Sequence, residues 1–253
     1  MFVIVDGIDG SGKGTIVNAL AEARGAQGAR VFDLREFAKR EHRLPEPEEL
    51  AGFDVIISAE PTHTWVGQTI RDEIIRDNGR DYGALRTAEA FALDRLILYR
   101  RVLLPARARG LDIIQERSVT SSIVYQSKAS GISDQQSGIL ADGVPMEALL
   151  ALEGNAFTLA NPPDLCVIVS TEPARAMQRL QLRSQKQDAA IFEKLPILQR
   201  LHERYHAPWL TDLLRARGWR IEHLDANGAV EDAVAAAKRL LGTLAQTIPV
   251  PTV

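Results

Sequence analysis

Short apolar runs recur along the chain, most followed by a polar or glycine-rich break and then by a stretch of helical period. Phe2-Val3-Ile4-Val5 is the first, and its β-branched residues at consecutive positions read as a buried strand. Runs at 28–34, 54–59, 111–115, 163–170 and 220–225 are of the same kind. Ile16, Val17, Leu20 and Ala21 predict a helix over residues 14–25. Residues 65–75 open another, and Leu85, Ala88, Phe91, Ala92, Leu96, Tyr99, Val102 and Leu103 carry a 3.6 period through 84–109. Further helices are expected over 146–159, from Pro173, from Phe192-Glu193 to Arg217, and over 230–245. Strand and helix alternate, which predicts an α/β protein with helices on both faces of a mainly parallel sheet. One domain over 1–247 is expected, with insertions at 35–53 and 127–144, a lid region at 180–195 and a tail at 248–253.

The break after the first run is the most informative. Gly7-Ile8-Asp9-Gly10-Ser11-Gly12-Lys13 fits a phosphate-binding loop, and strand, glycine loop and helix follow in the order such a loop requires. Glycines let successive backbone N–H groups curve around phosphate oxygens. The helix start adds free amides and a positive dipole end, and Lys13 adds a point charge. Gly7, Gly10, Ser11, Gly12, Lys13, Gly14 and Thr15 are therefore the expected ATP contacts. Gly14 stands where such a loop usually carries the hydroxyl that binds Mg²⁺, so the metal is expected to be held mainly through waters and phosphates. The expected fold is a three-layer P-loop NTPase fold with a mainly parallel, five-stranded sheet flanked by helices.

Composition narrows the partners. Thirty Lys and Arg against 33 Asp and Glu give a formal net charge of −3, so no basic field points to nucleic acid. The single Cys166 allows no internal disulfide and no cysteine-built zinc site. No apolar stretch is long enough to span a membrane. With a strand beginning at residue 2, no leader segment is expected, and a cytoplasmic setting follows.

Charged residues stand at the ends of later strands, where α/β proteins bind ligands. Glu60 precedes Pro61, and Glu116-Arg117-Ser118 follows the fourth run. Arg95 shares a helix face with Phe91 and needs a partner, either an internal carboxylate or a ligand. Residues 35–43 hold four basic side chains and read either as a solvated helix face or as a flap over a nucleotide.

Several stretches, in order, resemble the thymidylate kinase family of nucleoside monophosphate kinases. They are Asp9 to Lys13, Glu60-Pro61-Thr62 with Gly67 and Ile70-Arg71, Phe91-Ala92-Leu93-Asp94-Arg95, Glu116-Arg117-Ser118 with Ser121, Ser122, Tyr125 and Gln126, and Pro163-Asp164-Leu165 with Arg179, Arg183, Glu193 and Tyr205. Two positions depart from the family pattern: Ala59 replaces an arginine and Glu116 an aspartate.

The resemblance implies transfer of the ATP γ-phosphoryl group to dTMP, giving dTDP and ADP, with Mg²⁺ and a homodimer built on helices such as 85–104. It assigns Asp9 to the acceptor sugar, Arg117 to the acceptor phosphate, Phe91 and Arg95 to the base, and Glu60, Ser122 and Tyr125 to the acceptor pocket. Glu116 is the candidate metal contact, through water. Arg179 and Arg183 are the candidate lid arginines, because the loop itself carries none. Structural roles stay open beside these: a loop cap for Asp9, an ion pair with Glu116 or Glu60 for Arg117, core packing for Phe91 and Tyr125, and a solvated helix face for Arg179 and Arg183. Two other functions also stay open, a kinase for a different nucleotide or nucleoside acceptor and a nucleotide-binding regulatory protein that has lost catalysis.

Overall fold

The computed structural model describes residues 1–128, 143–182 and 192–247. In chain order the elements are β1 (Phe2–Asp6), α1 (Lys13–Ala26), β2 (Val31–Asp33), α2 (Leu34–Glu41), β3 (Val55–Ala59), α3 (Trp65–Thr69), α4 (Ala84–Leu98), α5 (Leu104–Ala108), β4 (Asp112–Glu116), α6 (Val119–Gln126), α7 (Met146–Ala151), α8 (Glu153–Leu159), β5 (Leu165–Ser170), α9 (Pro173–Gln181), α10 (Leu195–His206), α11 (Pro208–Arg215), β6 (Ile221–Asp225) and α12 (Val230–Thr247). The strands form one sheet in the order β2-β3-β4-β1-β5-β6, parallel at every pairing. The sheet thus has six strands rather than the five expected. Each of the six apolar runs supplies one strand; the shortest is the three-residue β2, an edge strand paired to β3.

Alternation along the strands divides the core. Phe2, Ile4, Ile56, Ile113, Cys166 and Ile168 point to one face, against Leu98, Val124, Leu198 and Leu201. Val3, Val5, Val55, Ile57, Val167 and Val169 point to the other, against α1 and α12 through Ile16, Leu20, Ala233 and Ala237. Both faces are covered by helices, which is why the strands read as continuous apolar runs.

Three helical predictions divide on inspection. Residues 84–108 run on through a π-helical turn at Tyr99–Leu103. The 146–159 helix breaks at Leu152, whose ψ of 128° is extended. The helix expected to reach Arg217 breaks at Ala207, because the residue before Pro208 is pushed out of helical geometry (ψ 134°). Residues 35–53 hold most of α2 and a 3₁₀ turn at Pro47–Leu50. Asp33 ends β2 and caps α2, accepting from the amides of Arg35 and Glu36. Residues 129–142 of the 127–144 segment, 183–191 of the lid region and the 248–253 tail lie outside the described residues.

One close approach bears on the site. At Gly154 of α8 a Cβ would lie 1.8 Å from the Ala92 carbonyl oxygen of α4, so the two helix backbones touch where no side chain intervenes.

Candidate active site

β1 lies at the point where the connections change direction, with β4 on one side and β5 on the other. Ligands of open α/β sheets bind outside the strand ends at such a point. Here β1 ends in the glycine loop, and a cavity of about 450 Å³ opens beside it. Gly10 (φ 77°) has backbone geometry that side chains disfavour, and a Cβ there would lie 2.3 Å from the Ala176 carbonyl oxygen of α9. The loop is therefore fixed from behind by α9 as well as by its own glycines. Lys13 is buried and donates to the Ile8 carbonyl at 2.8 Å. Burial lowers its pKa to about 8, with Arg117 adding to the effect.

Arg117 follows β4 with a φ of 65°, a left-handed geometry unusual for a side-chain-bearing residue. Its N–H donates to the Val5 carbonyl at 2.9 Å and its carbonyl accepts from Gln115 Nε2 at 2.9 Å, bonds that hold the turn. The guanidinium donates to Asp9 at 2.5 Å and Ser121 at 3.0 Å and lies over the Tyr125 ring. The Tyr125 hydroxyl donates to the other Asp9 oxygen at 3.0 Å, and burial raises its pKa, keeping the phenol neutral. The carboxylate partner of Arg117 is thus Asp9, not Glu116 or Glu60. Behind this group, Asp6 accepts from Ser121 and Tyr205, both at 2.8 Å, joining β1, α6 and α10.

Arg95 lies in the interior, 1% exposed, and does not line the cavity. It donates to Glu60 at 2.7 Å, to Ser122 at 3.0 Å and to Asn155. Gln115 donates to the second Glu60 oxygen at 2.8 Å. Burial raises the Glu60 pKa to about 7, with Arg95 opposing. Of the two residues assigned to a base, Phe91 lines the cavity and Arg95 stands behind it. Asp9, Gly10, Lys13, Gly14, Glu60, Glu116, Arg117, Ser122 and Tyr125 also line it. Gly7, Ser11, Gly12 and Thr15 complete the loop away from this wall. Arg179 does not reach the cavity: it donates to the carbonyls of Ser11 at 3.2 Å and Ala226 at 2.8 Å, tying the loop to the turn after β6. Arg183 lies outside the described residues.

Sequence reasoning missed Arg71, His63, Arg35, Glu36 and Lys39 as cavity residues. Arg71 belongs to the stretch from Glu60-Pro61-Thr62 to Ile70-Arg71, which carries the resemblance without assigning it a role. Arg35 and Lys39 are four apart in the charged stretch, a spacing that places both on one helix face. Arg71 donates to the carbonyls of Pro61 and Thr62 and has no carboxylate ion pair among the described residues. Burial depresses its pKa, as befits a guanidinium short of counter-charge.

Among the described residues no group of three His, Cys, Asp or Glu is placed to hold a metal. A Glu116 carboxylate oxygen stands 3.4 Å from the position of a Cβ on Gly14, beside the start of α1. One hard carboxylate next to a phosphate loop suits a Mg²⁺ ion that keeps its waters, and does not build a protein-only cage.

A central parallel strand ending in this loop, with cavity-lining groups arriving from the ends of the neighbouring strands β3 and β4, defines the P-loop NTPase class. The thymidylate kinase family model matches residues 47–235, and the chain belongs to that family. A probable thymidylate kinase of Pyrobaculum calidifontis is 29% identical over 248 residues, 96% of this chain and 99% of its own length. A thymidylate kinase of Cereibacter sphaeroides is 28% identical over 98% of this chain and 97% of its own. A probable thymidylate kinase of Pyrococcus abyssi is 30% identical over 79% and 77%. No helix among the described residues is long and apolar enough to cross a membrane.

Proposed function

We propose that the chain transfers the γ-phosphoryl group of ATP to dTMP, giving dTDP and ADP. The observation that carries the reading is that Lys13 of the phosphate loop and the Arg117–Asp9–Tyr125 group open on one cavity, in a chain of the thymidylate kinase family. The acceptor is itself a phosphate anion, so its attacking oxygen needs no base. The physical obstacle is bringing two anions into line, and positioning and charge neutralisation are what the site must supply.

In this reading the loop amides from Gly7 to Thr15 and Lys13 hold the ATP phosphates. Arg117 and Arg71 hold the acceptor phosphate, Phe91 stacks on the base, and Asp9 and Tyr125 border the sugar. Glu60 and Ser122 line the cavity and also fix Arg95, and through it the wall behind Phe91. Arg179 positions the loop backbone. As one P–O bond forms to the acceptor, the bond to the ADP oxygen breaks, and the charge passes to ADP. Mg²⁺, held by phosphates and by Glu116 through water, would neutralise charge on the outer phosphates. A cytoplasmic homodimer is the proposed setting. Leu85 and Leu93 on α4 are exposed and offer apolar surface for a second copy. Light scattering should then return twice the chain mass, and a monomer at all concentrations would remove the dimer from the proposal.

An ADP-release assay across dTMP, dUMP, UMP, CMP and AMP tests the reading. A kcat/KM for dTMP at least about 10-fold above the others is expected, the scale one or two fitted contacts supply. ATP binding without turnover of any acceptor would instead favour a regulatory protein.

A further inference from the structure

One wall of the cavity comes from a helix to which the transfer reaction gives no task. β3 ends at Ala59, which reaches the cavity with a methyl group and no charge. On the same side α2 contributes Arg35, one turn before Lys39. Arg35 is not a solvated surface arginine, since its side chain is 16% exposed. Asp33 accepts from its Nε at 3.0 Å and its Nη2 at 2.7 Å. Asn18 of α1 accepts from Nη2 at 2.7 Å. Two elements therefore fix the guanidinium plane, and the two N–H bonds of Nη1 have no partner among the described residues.

Neighbouring groups register the charge at this wall. His63, in the turn after β3, has its pKa lowered to about 3 by burial and then by Arg71, Lys39 and Arg35. It is a neutral imidazole among cations at neutral pH. Asp33 is the counter-charge of Arg35, and burial of the pair is offset by their hydrogen bonds. Arg71, which also lines the cavity, has no carboxylate ion pair among the described residues. A guanidinium held by one carboxylate, with a free Nη1 in a cavity that Arg71 also lines, suits an anion with several oxygens.

We propose that Arg35 binds the 5′-phosphate of the acceptor through Nη1, supplying from α2 the positive charge that Ala59 does not provide. The inference rests on the acceptor reading above, with Arg71 and Arg117 contacting the other oxygens of the same phosphate. Lys39 takes no part: its ammonium is held by Glu36 at 2.7 Å and is about half exposed.

The phosphate is read by comparing dTMP with thymidine, which lacks it. Calorimetric affinities for both are measured on wild type, Arg35→Gln, Lys39→Gln, and Arg35→Gln with Ala59→Arg. Arg35→Gln should reduce the preference for dTMP over thymidine by about 10- to 100-fold, the scale of one charged hydrogen-bonded contact. Thymidine affinity should stay unchanged, which shows that the variant is folded. Lys39→Gln should behave as wild type, and the added Ala59→Arg should restore most of the lost preference. A dTMP preference that survives Arg35→Gln, or a parallel loss of both affinities, overturns the inference and leaves the reaction reading intact. Wild-type protein with no preference for dTMP over thymidine overturns both.

Discussion

Replacing Lys13 by alanine is expected to lower kcat by at least about 10²-fold while leaving the fold intact, the scale of removing one preorganised charge from a transfer site. Among the described residues the side-chain amine donates to its own loop, at the Ile8 carbonyl. The depressed pKa of about 8 gives the test a second readout. Between pH 8 and 10.5 the unfolded chain holds a proton at Lys13 that the folded chain has released, so wild-type stability rises with pH across this window relative to Lys13→Ala. ATP phosphates at the amine raise its pKa again. Above pH 8, ATP binding should therefore take up a proton in wild type and not in the variant, measured by calorimetry in buffers of different ionisation enthalpy. Unchanged turnover in Lys13→Ala would remove the loop from the reaction.

Arg95→Ala is expected to act first on stability. The guanidinium bonds to Glu60, Ser122 and Asn155, and its loss leaves the Glu60 carboxylate buried without counter-charge. Breaking a buried pair from one side costs about 3–5 kcal/mol, or roughly 10 °C in Tm for a chain of this size. The double variant Glu60→Gln with Arg95→Met should recover much of this, since no buried charge remains. The sign with pH follows from the raised Glu60 pKa of about 7. Between its ordinary 4.5 and that value the folded state holds the extra proton. This group's contribution is thus full below pH 4.5 and is lost as pH rises through 7. Without Arg95 to oppose burial, the slope should steepen. A variant destabilised by under about 1 kcal/mol that instead changes its acceptor preference would show Arg95 to be a ligand contact after all.

The strands, their order of appearance and the phosphate loop were legible because each rests on local signals. A run of Val and Ile marks a strand, and three glycines with a lysine in register mark a loop, whatever lies elsewhere. Strand order was not legible, since it depends on pairings between Val3 and both Ile114 and Leu165, far apart in sequence. The same distinction divides the site. Asp9, Arg117 and Phe91 belong to short motifs and could be named. The inward turn of Arg95 could not, because Asn155 and Ser122, which bind it, come from other helices. The charged stretch 35–43 left two readings open, and composition could not choose between them. What turned Arg35 toward the cavity is a cap at Asp33 and an amide at Asn18, set by where β2 pairs and not by the charges themselves.

Gly154 does not line the cavity, yet the α4 backbone rests directly against it at Ala92, the neighbour of Phe91. The clearance between α4 and α8 is therefore gauged by a missing Cβ, and Phe91 takes its depth in the cavity from that gauge. The bore of the proposed base pocket is set from behind, by a position that no ligand reaches.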